Sequence, residues 1–204
     1  MAEPAAFWNR IAAKYAASPI SDEAAYARKL ELTRARLRPD MEVLEFGCGT
    51  GGTARHHAPH VKHYRATDFS AEMIAIAKGR GPVPENLSFE VAEFDRMELA
   101  PGSLDMVLGL SILHLLPDPN ATIAKAFRAL KPGGYLVTST ACLGRIWPLK
   151  LLAPLGQKIG RLPQLAYFTE DELRAKMTGA GFAIEEDWQP KARAALFLIA
   201  KKPH

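Results

Sequence analysis

The stretch at residues 43–51, Val-Leu-Glu-Phe-Gly-Cys-Gly-Thr-Gly, constrains the fold of this chain more than any other. An apolar run at residues 41–46 predicts a short strand, and three glycines follow at alternate positions, Gly47, Gly49 and Gly51. A polar, helix-like run comes next. A glycine turn between a strand and a helix brings the backbone close to a ligand, because glycine has no Cβ and accepts positive φ. The stretch therefore predicts a ligand-binding turn.

Glu45 narrows the choice of ligand for this turn. It lies two residues before Gly47, at the carboxyl end of the predicted strand. A carboxylate there repels a phosphate and suits a ligand with positive charge or hydroxyl groups. The glycines alone leave a second choice open, because Gly47, Gly49 and Gly52 also satisfy the dinucleotide pattern G-x-G-x-x-G.

Strands and helices alternate along residues 41–140. The predicted strands are 41–46, 62–67 (closing on Asp68), 87–91, 104–110 and 135–139. The predicted helices between them are 50–57, 71–78 with Ser70 as its cap, and 120–130 with Asn120 as its cap. Two helices, 4–15 and 21–37, precede the first strand, and Ser21 is the predicted cap of the second. Several strands are nearly continuous apolar runs, which is typical of a parallel sheet covered on both faces. We therefore expect an α/β fold with a doubly wound, Rossmann-like sheet.

The C-terminal part of the chain has a different pattern. A helix capped by Thr169 is followed by two predicted strands, 182–188 and 194–200, whose connection is too short for a helical crossover. These two strands must therefore form an antiparallel hairpin. The expected organisation is a single domain, 1–204, with N-terminal helices (1–38), a cofactor-binding core (41–140), an apolar, proline-interrupted insertion (141–165) and a C-terminal helix and hairpin (166–204).

The composition suits one ordinary domain. The chain has 204 residues, of which 48% are hydrophobic and 24% charged, so it can bury a core. Its net charge is +4, and the scattered Lys and Arg residues show no basic and aromatic alternation, which predicts no nucleic-acid partner. We expect no signal peptide and no stable membrane insertion, because the N-terminus has no basic end followed by an apolar run and no apolar stretch could span a bilayer.

The cysteines and histidines predict no metal site. Cys48 and Cys142 are too few for a disulfide framework or a cysteine metal centre, and they suit a reducing cytoplasm. Four histidines cluster at positions 56, 57, 60 and 63, but Pro59 interrupts them and no acid or cysteine joins them at ligand spacing. We interpret the cluster as an exposed helix end.

Asp68, at the end of the second predicted strand, is a candidate ligand for a ribose. In doubly wound sheets this position reaches over the glycine turn, where a carboxylate can accept hydrogen bonds from both ribose hydroxyls. The alternative is a helix cap before Ser70. Phe69 could cover one face of a purine, and Met73, one helical turn on, belongs either to the core or to the same purine face.

Two further candidates follow the third and fourth strands. Glu93 could accept a hydrogen bond from an exocyclic amino group such as adenine N6, or it could be a solvated loop acid that competes with Asp95 for the role. His114 lies in a loop expected to line the ligand crevice and could act as a general base near neutral pH. Burial between Leu113 and Leu115 is the alternative for His114.

Together these motifs resemble those of class I S-adenosylmethionine-dependent methyltransferases. The likeness rests on residues 43–51, on Asp-Phe-Ser-Ala-Glu-Met at 68–73, on residues 103–107 with 113–114, and on Leu-Lys-Pro-Gly-Gly at 130–134, in the family's order and spacing. The N-terminal Phe7, Trp8, Lys14 and Tyr15 resemble the entry helix of small-molecule members, including the quinone-biosynthesis type. The resemblance implies a seven-stranded sheet whose last strand is antiparallel, with S-adenosylmethionine as cofactor.

The resemblance also implies roles for the matching residues. Glu45 and the turn would hold the amino-acid end of the cofactor, Asp68 its ribose, and Tyr15 would close over its carboxylate. The full set of implied cofactor-binding residues is Tyr15, Glu45, Gly47, Cys48, Gly49, Gly51, Asp68, Phe69, Met73, Glu93, Phe94, Leu110 and Ser111. Within this set, Phe69 and Met73 would flank adenine, Glu93 and the Phe94 amide would meet its edge, and Leu110 and Ser111 would line the methionine. Phe94 stands where the family usually has a small residue.

Methyl transfer requires little dedicated machinery. It is an in-line displacement, so the protein mainly aligns the reactants and excludes water. His114 and Tyr15 are the catalytic candidates, and Tyr26, His114 and Trp147 are the candidates for contact with the acceptor. The apolar insertion, with the N-terminal helices, is expected to form a lid over a hydrophobic or aromatic small-molecule acceptor. Plain packing and dimerisation are its alternatives, and either a monomer or a homodimer is expected.

Three other functions compete with this prediction. One is a nicotinamide-dependent oxidoreductase, which Glu45 and the C-terminal hairpin disfavour. Another is a non-catalytic S-adenosylmethionine-binding protein, because the chemistry needs no obligatory side chain. The third is a membrane-surface protein that uses residues 147–159 as an amphipathic anchor.

Overall fold

The fold is a seven-stranded sheet with helices on both faces, seen in a computed structural model that describes residues 4–146, 153, 157 and 162–204. The strands are β1 (Glu42–Phe46), β2 (His63–Asp68), β3 (Leu87–Val91), β4 (Leu104–Leu110), β5 (Leu130–Thr140), β6 (Ala183–Trp188) and β7 (Leu196–Lys201). The helices are α1 (Pro4–Ala17), α2 (Glu23–Arg34), α3 (Gly52–His57), α4 (Ala71–Gly79), α5 (Pro119–Ala129) and α6 (Glu170–Gly179). Short 3₁₀ turns cover Ala58–His60, Phe94–Arg96 and Leu113–Leu115.

The sheet has the order β3-β2-β1-β4-β5-β7-β6. Strands β1 to β5 pair in parallel, whereas β7 pairs antiparallel with both β5 and β6. This confirms the predicted fold class and the C-terminal hairpin. The order reverses between β1 and β4, and a reversal of this kind opens a crevice beyond the carboxyl ends of the two strands.

Each face of the sheet has its own apolar core. One core joins the sheet to α2, α3 and α4, and the other joins it to α5 and α6. Alternate residues of the central strands serve the two faces, so that Leu44 lies in one core and Val43 in the other. Full burial of an aliphatic side chain such as Leu44 contributes roughly 1.5–3 kcal/mol. The central strands therefore give the site a rigid base.

Two predicted helix starts were wrong by one or two residues. Asp22, not Ser21, caps α2, because its carboxylate accepts from the Ala25 amide at 2.9 Å. Asp118, not Asn120, caps α5, and its Oδ1 accepts from the amides of Asn120 and Ala121. Pro at the first position of α5 suits this cap because its missing N–H has no partner there anyway.

Among the other predictions for the ends of helices and strands, some are confirmed and others are wrong. The side-chain caps Ser70 and Thr169 are confirmed, and Thr169 forms a reciprocal capping box with Glu172. Helix α2 ends at Arg34, three residues before the predicted end. Strand β5 begins at Leu130 rather than at 135, because Leu130 already pairs with Leu104 before an irregularity in the ladder.

The predicted insertion at 141–165 lies largely outside the described residues. The lid role of this segment, the substrate role of Trp147 and the alternative of an anchor at 147–159 therefore stay predictions. In the part of the chain that the structure describes, no helix is long and apolar enough to cross a membrane.

Candidate functional site

A cavity of about 230 Å³ lies at the carboxyl ends of β1, β2 and β4. Its walls come from α1, the glycine turn, the start of α4 and the segment after β4. The lining residues are Trp8, Tyr15, Gly47, Gly49, Asp68, Phe69, Met73, Leu110, Ser111, Ile112, His114 and Leu115. The cavity occupies the point where the strand order reverses, which is where open α/β sheets bind ligands.

The glycine turn holds its shape because three of its glycines take positive φ. A Cβ on Gly47 would lie 2.8 Å from Ile112 Cγ1, and one on Gly51 would lie 2.6 Å from Phe89 Cε1. By contrast, a Cβ on Gly49 would meet only Tyr15, at 3.7 Å. Gly47 and Gly51 therefore allow close packing of the turn, and Gly49 leaves backbone open beneath the ring of Tyr15.

Asp68 is fixed by two backbone donors. Its Oδ2 accepts from the Gly49 amide at 2.9 Å, and its Oδ1 accepts from the Ser70 amide at 2.8 Å. Burial raises the pKa of this carboxyl, and the two amide hydrogen bonds oppose that rise. The residue thus braces the turn and the start of α4 while it lines the cavity. Each oxygen keeps a further lone pair for a ligand hydroxyl.

Glu45 lies behind the turn and is not among the lining residues. Only 2% of it is exposed, and its Oε2 accepts from the Tyr64 hydroxyl at 2.8 Å. Burial raises the pKa of Glu45 to about 8, the charge of Asp68 adds to the rise, and the hydrogen bond from Tyr64 opposes it. Burial also raises the pKa of the neighbouring Cys48 thiol, which keeps it protonated.

The predicted residues after β4 reach the cavity. Leu110 and Ser111 line it, and the Ser111 amide donates to the Ser139 carbonyl at 2.6 Å. Ser111 has a φ of +58°, an uncommon conformation for a residue with a side chain. Strain of this kind clusters at ligand sites, and here it bends the chain across the cavity floor.

His114 lines the cavity with its ring partly buried. Its Nδ1 is buried and has no hydrogen-bond partner within the described ranges, and burial lowers its pKa, so the imidazole is neutral near pH 7. The His114 carbonyl accepts from the Ala166 amide at 2.8 Å, which fixes the segment. A neutral imidazole in a cavity wall can accept a proton.

Helix α1 covers the mouth of the site. Tyr15 is 50% exposed, lines the cavity and packs edge-on against Trp8 with ring centroids 6.5 Å apart. Trp8, Ile112 and Leu115 line the cavity but were absent from the predicted set. The seven-residue spacing of Trp8 and Tyr15, two turns on one helix face, was a signal for Trp8. No local sequence signal distinguishes Ile112 or Leu115 from core residues.

Besides Glu45, Cys48 and Gly51, three more predicted site residues lie outside the cavity lining. Glu93 forms an ion pair with Arg96 at 2.9 Å, and the buried Phe94 ring stacks on Phe46 with centroids 4.3 Å apart. The Tyr26 hydroxyl forms a hydrogen bond with Thr53 Oγ1 at 3.2 Å. Their proposed contacts with cofactor or acceptor stay predictions. The size of Phe94 has a structural use, since its ring fills the core.

Comparison with known proteins identifies the domain. A family model described as a methyltransferase domain matches residues 44–138. The chain is 28% identical over 184 residues to a highly reducing polyketide synthase, lcsB, of Purpureocillium lilacinum. That match covers 82% of this chain and only 7% of the synthase, so the chain spans a small part of this relative's length.

Solved structures share the fold over nearly the whole chain. One is a putative methyltransferase in complex with the Trm112 methyltransferase activator of Haloferax volcanii, with a TM-score of 0.78, 18% identity and coverage of 99% of this chain and 98% of that one. Another is an S-adenosylmethionine-dependent methyltransferase of Mesorhizobium loti, with a TM-score of 0.72, 20% identity and coverage of 89% and 99%.

The fold and the domain match define a methyltransferase of the doubly wound type. Over residues 44–138 the chain matches the methyltransferase domain family, and this match together with the fold supports a class I S-adenosylmethionine-dependent methyltransferase with S-adenosylmethionine as cofactor. The cavity fits that group: its lining includes the Asp68 carboxyl and aromatic rings but no Lys or Arg. Such a lining suits a nucleoside that carries positive charge, and it does not suit a pyrophosphate.

Proposed function

We propose that the chain transfers a methyl group from S-adenosylmethionine to a small hydrophobic or aromatic acceptor. The observation that carries the proposal is the cavity at the strand reversal, where Asp68, the open Gly49 backbone and the His114 ring meet. The apolar walls of this cavity support an apolar acceptor. The proposal keeps the roles that the sequence suggested for the residues of the turn and of strands β2 and β4.

Within this proposal, Asp68 accepts hydrogen bonds from the ribose, and Glu45 faces the charged amino-acid end through the turn. Phe69 and Met73 cover adenine, while Leu110 and Ser111 flank the methionine chain. Tyr15 closes the mouth of the site. Both carboxyls are acids without a Lys or Arg ion pair in the described chain, which supports a positively charged ligand.

The bound cofactor supplies an electrophilic methyl on a sulfonium. The chain holds the acceptor in line with that methyl and keeps water out, which contributes most of the acceleration in a displacement of this kind. Where the acceptor must lose a proton, His114 takes it at a ring nitrogen, since its neutral imidazole has a free lone pair. Tyr15, whose pKa is raised by burial, stays protonated near pH 7 and does not act as the base.

The first test is binding. Asp68→Ala should weaken S-adenosylmethionine binding by roughly 10²- to 10⁴-fold, because two hydrogen bonds to a charged group each contribute about 1.5–3 kcal/mol. Isothermal titration calorimetry measures the change. Asp40→Ala is the matched control: Asp40 is exposed and pairs with Arg38 away from the cavity, so this variant should bind like the wild type. Heat with NAD and none with S-adenosylmethionine would contradict the proposal.

The second test is transfer. Methyl-labelled S-adenosylmethionine is incubated with a panel of phenols and 1,3-dicarbonyl compounds, the latter because relatives are named polyketide synthases. His114→Asn should keep cofactor affinity and lower the transfer rate by roughly 10²- to 10⁴-fold if a proton must be removed. Binding without transfer to any compound or metabolite extract would favour the non-catalytic alternative.

A further inference from the structure

The side chains around Glu45 are mostly acidic or phenolic. The groups that face it are Tyr64 and Asp68 from β2, Cys48 from the turn, Tyr15 from α1 and Tyr26 from α2. Arg80 lies close enough to Tyr15 to lower the pKa of its hydroxyl, and its guanidinium donates to the Ala16 carbonyl at 3.1 Å. Within the described ranges, no Lys or Arg forms an ion pair with Glu45 or Asp68.

Two carboxyls in one dry region cannot both be ionised cheaply. Asp68 accepts from two backbone amides, at 2.9 and 2.8 Å, so the negative charge is placed on it. Glu45 accepts from the Tyr64 hydroxyl at 2.8 Å and is almost wholly shielded from solvent. Its pKa, raised to about 8 chiefly by burial, agrees with a carboxyl that keeps its proton near pH 7 while the site is empty.

We propose that Glu45 loses its proton when the site takes up S-adenosylmethionine, so that cofactor binding releases a proton, and that Tyr64 is the positioning residue for the carboxylate that forms. The inference rests on the proposed function, which directs the charged end of the cofactor to Glu45. The O–H bond of the carboxyl breaks, its electron pair stays on the carboxylate, and the proton goes to the solvent buffer. The positive charge of the ligand replaces the proton.

The proposal predicts a specific dependence on pH. Below about pH 8, removal of the proton opposes binding, so affinity should rise about tenfold per pH unit and level off above that value. Glu45 should contribute about 0.9 released proton at pH 7 and about 0.1 at pH 9, given a free-state pKa near 8. A neutral nucleoside such as 5′-methylthioadenosine lacks both positive charges and should release none.

Calorimetry in two buffers with different ionisation enthalpies counts the protons. Glu45→Gln keeps the shape of the side chain and cannot titrate, so it should release no proton beyond those of the cofactor's own amino group, which this variant measures. Tyr64→Phe should weaken binding about tenfold at pH 7 and move the level region to higher pH, because a carboxylate loses its hydrogen-bond donor. Tyr135→Phe, which removes a hydroxyl from β5 beside Lys201, should match the wild type.

The outcomes separate the inference from the proposed function. If S-adenosylmethionine does not bind the wild type, the proposed function fails. If it binds but the wild type and Glu45→Gln release equal numbers of protons at pH 7, only the inference fails. Thermal melts of each variant at pH 6 identify any that does not fold. An equal proton count for Tyr64→Phe and the wild type across the pH range would remove Tyr64 from its role.

Discussion

His57 is a buried histidine that is held neutral by its surroundings, so the prediction of an exposed helix end is wrong for this member of the histidine cluster. Its relative exposure is 0%, and neither ring nitrogen has a hydrogen-bond partner in the described chain. Burial lowers its pKa to about 3, and the nearby His56, His60 and Arg34 add to the effect. The described residues contain no group of three or more His, Cys, Asp or Glu that could hold a metal ion. The consequence of the buried, neutral ring is a dependence of stability on acid.

We predict that His57 makes the protein sensitive to acid. The native pKa lies below the ordinary value of 6.5, so its contribution to stability is present above pH 6.5 and is lost as the pH falls towards 3. Between pH 7 and pH 4 the loss should be about 3 kcal/mol. Urea unfolding at the two pH values measures it. Between pH 7 and pH 4, the free energy of unfolding of His57→Leu should fall by about 3 kcal/mol less than that of the wild type.

The neighbouring residue gives the control for this prediction. His56 lies on the same helix, α3, and is exposed. His56→Leu should keep the acid sensitivity of the wild type. Equal acid sensitivity in His57→Leu and the wild type would show that the buried ring is not the cause.

At the scale of elements, the turn between β1 and α3 depends on Gly51 for packing. We predict that Gly51→Ala lowers the free energy of unfolding by about 2–5 kcal/mol, the sum of about 1–2 for left-handed φ and about 1–3 for overpacking. The new Cβ would lie 2.6 Å from Phe89 Cε1 and 3.1 Å from Ala77 Cβ. Chemical denaturation measures the loss.

Gly81 is the matched control for that substitution. Its φ is +98°, and a Cβ there would meet nothing within 4 Å. Gly81→Ala therefore carries the conformational cost without the steric one and should lose clearly less stability than Gly51→Ala. Equal losses would mean that the contacts with Phe89 relax freely.

At this scale, helix caps could be predicted only where the residues next to the helix left one candidate. The caps at Ser70 and Thr169 were predictable because one capping side chain stood alone before each helix. The start of α2 was missed because Ser21 and Asp22 are adjacent and both can cap. Only the structure shows that the Asp22 carboxylate is the group that accepts from the Ala25 amide.

The same distinction holds for the candidate site. Gly49 and Asp68 were predictable since strand, turn and strand end follow one another in a local pattern. Ile112 and Leu115 were not, because both side chains pack in the core and only the tertiary path of the loop after β4 also brings them to the cavity wall. Phe94 shows the reverse case: a position beside the expected site is occupied by a ring that packs on Phe46.

At the scale of the whole molecule, two buried groups give stability opposite dependences on pH. Glu45 favours the native state when protonated, and His57 favours it when neutral. The contribution of His57 is largely present above pH 6.5, so between pH 6.5 and 8 the larger change comes from Glu45. Asp68, whose pKa is also raised, acts in the same direction as Glu45.

We predict that the free protein loses stability between pH 6.5 and pH 8. The native pKa of Glu45 is raised to about 8 from 4.5, so its contribution is present below pH 4.5 and is lost as the pH rises to about 8. The part of this loss between pH 6.5 and 8 should be about 1.5 kcal/mol. Glu45→Gln should lack that part of the loss.

Excess S-adenosylmethionine should stabilise the wild type more at pH 8 than at pH 6.5. A ligand that binds only the native state adds RT ln(1 + [L]/Kd) to the free energy of unfolding, and the affinity of this ligand rises with pH. Urea unfolding of the wild type and Glu45→Gln at pH 6.5 and pH 8, with and without cofactor, measures the loss of stability with pH and the stabilisation by the cofactor. Parallel pH dependence in the wild type and Glu45→Gln would show that Glu45 is already ionised in the free protein.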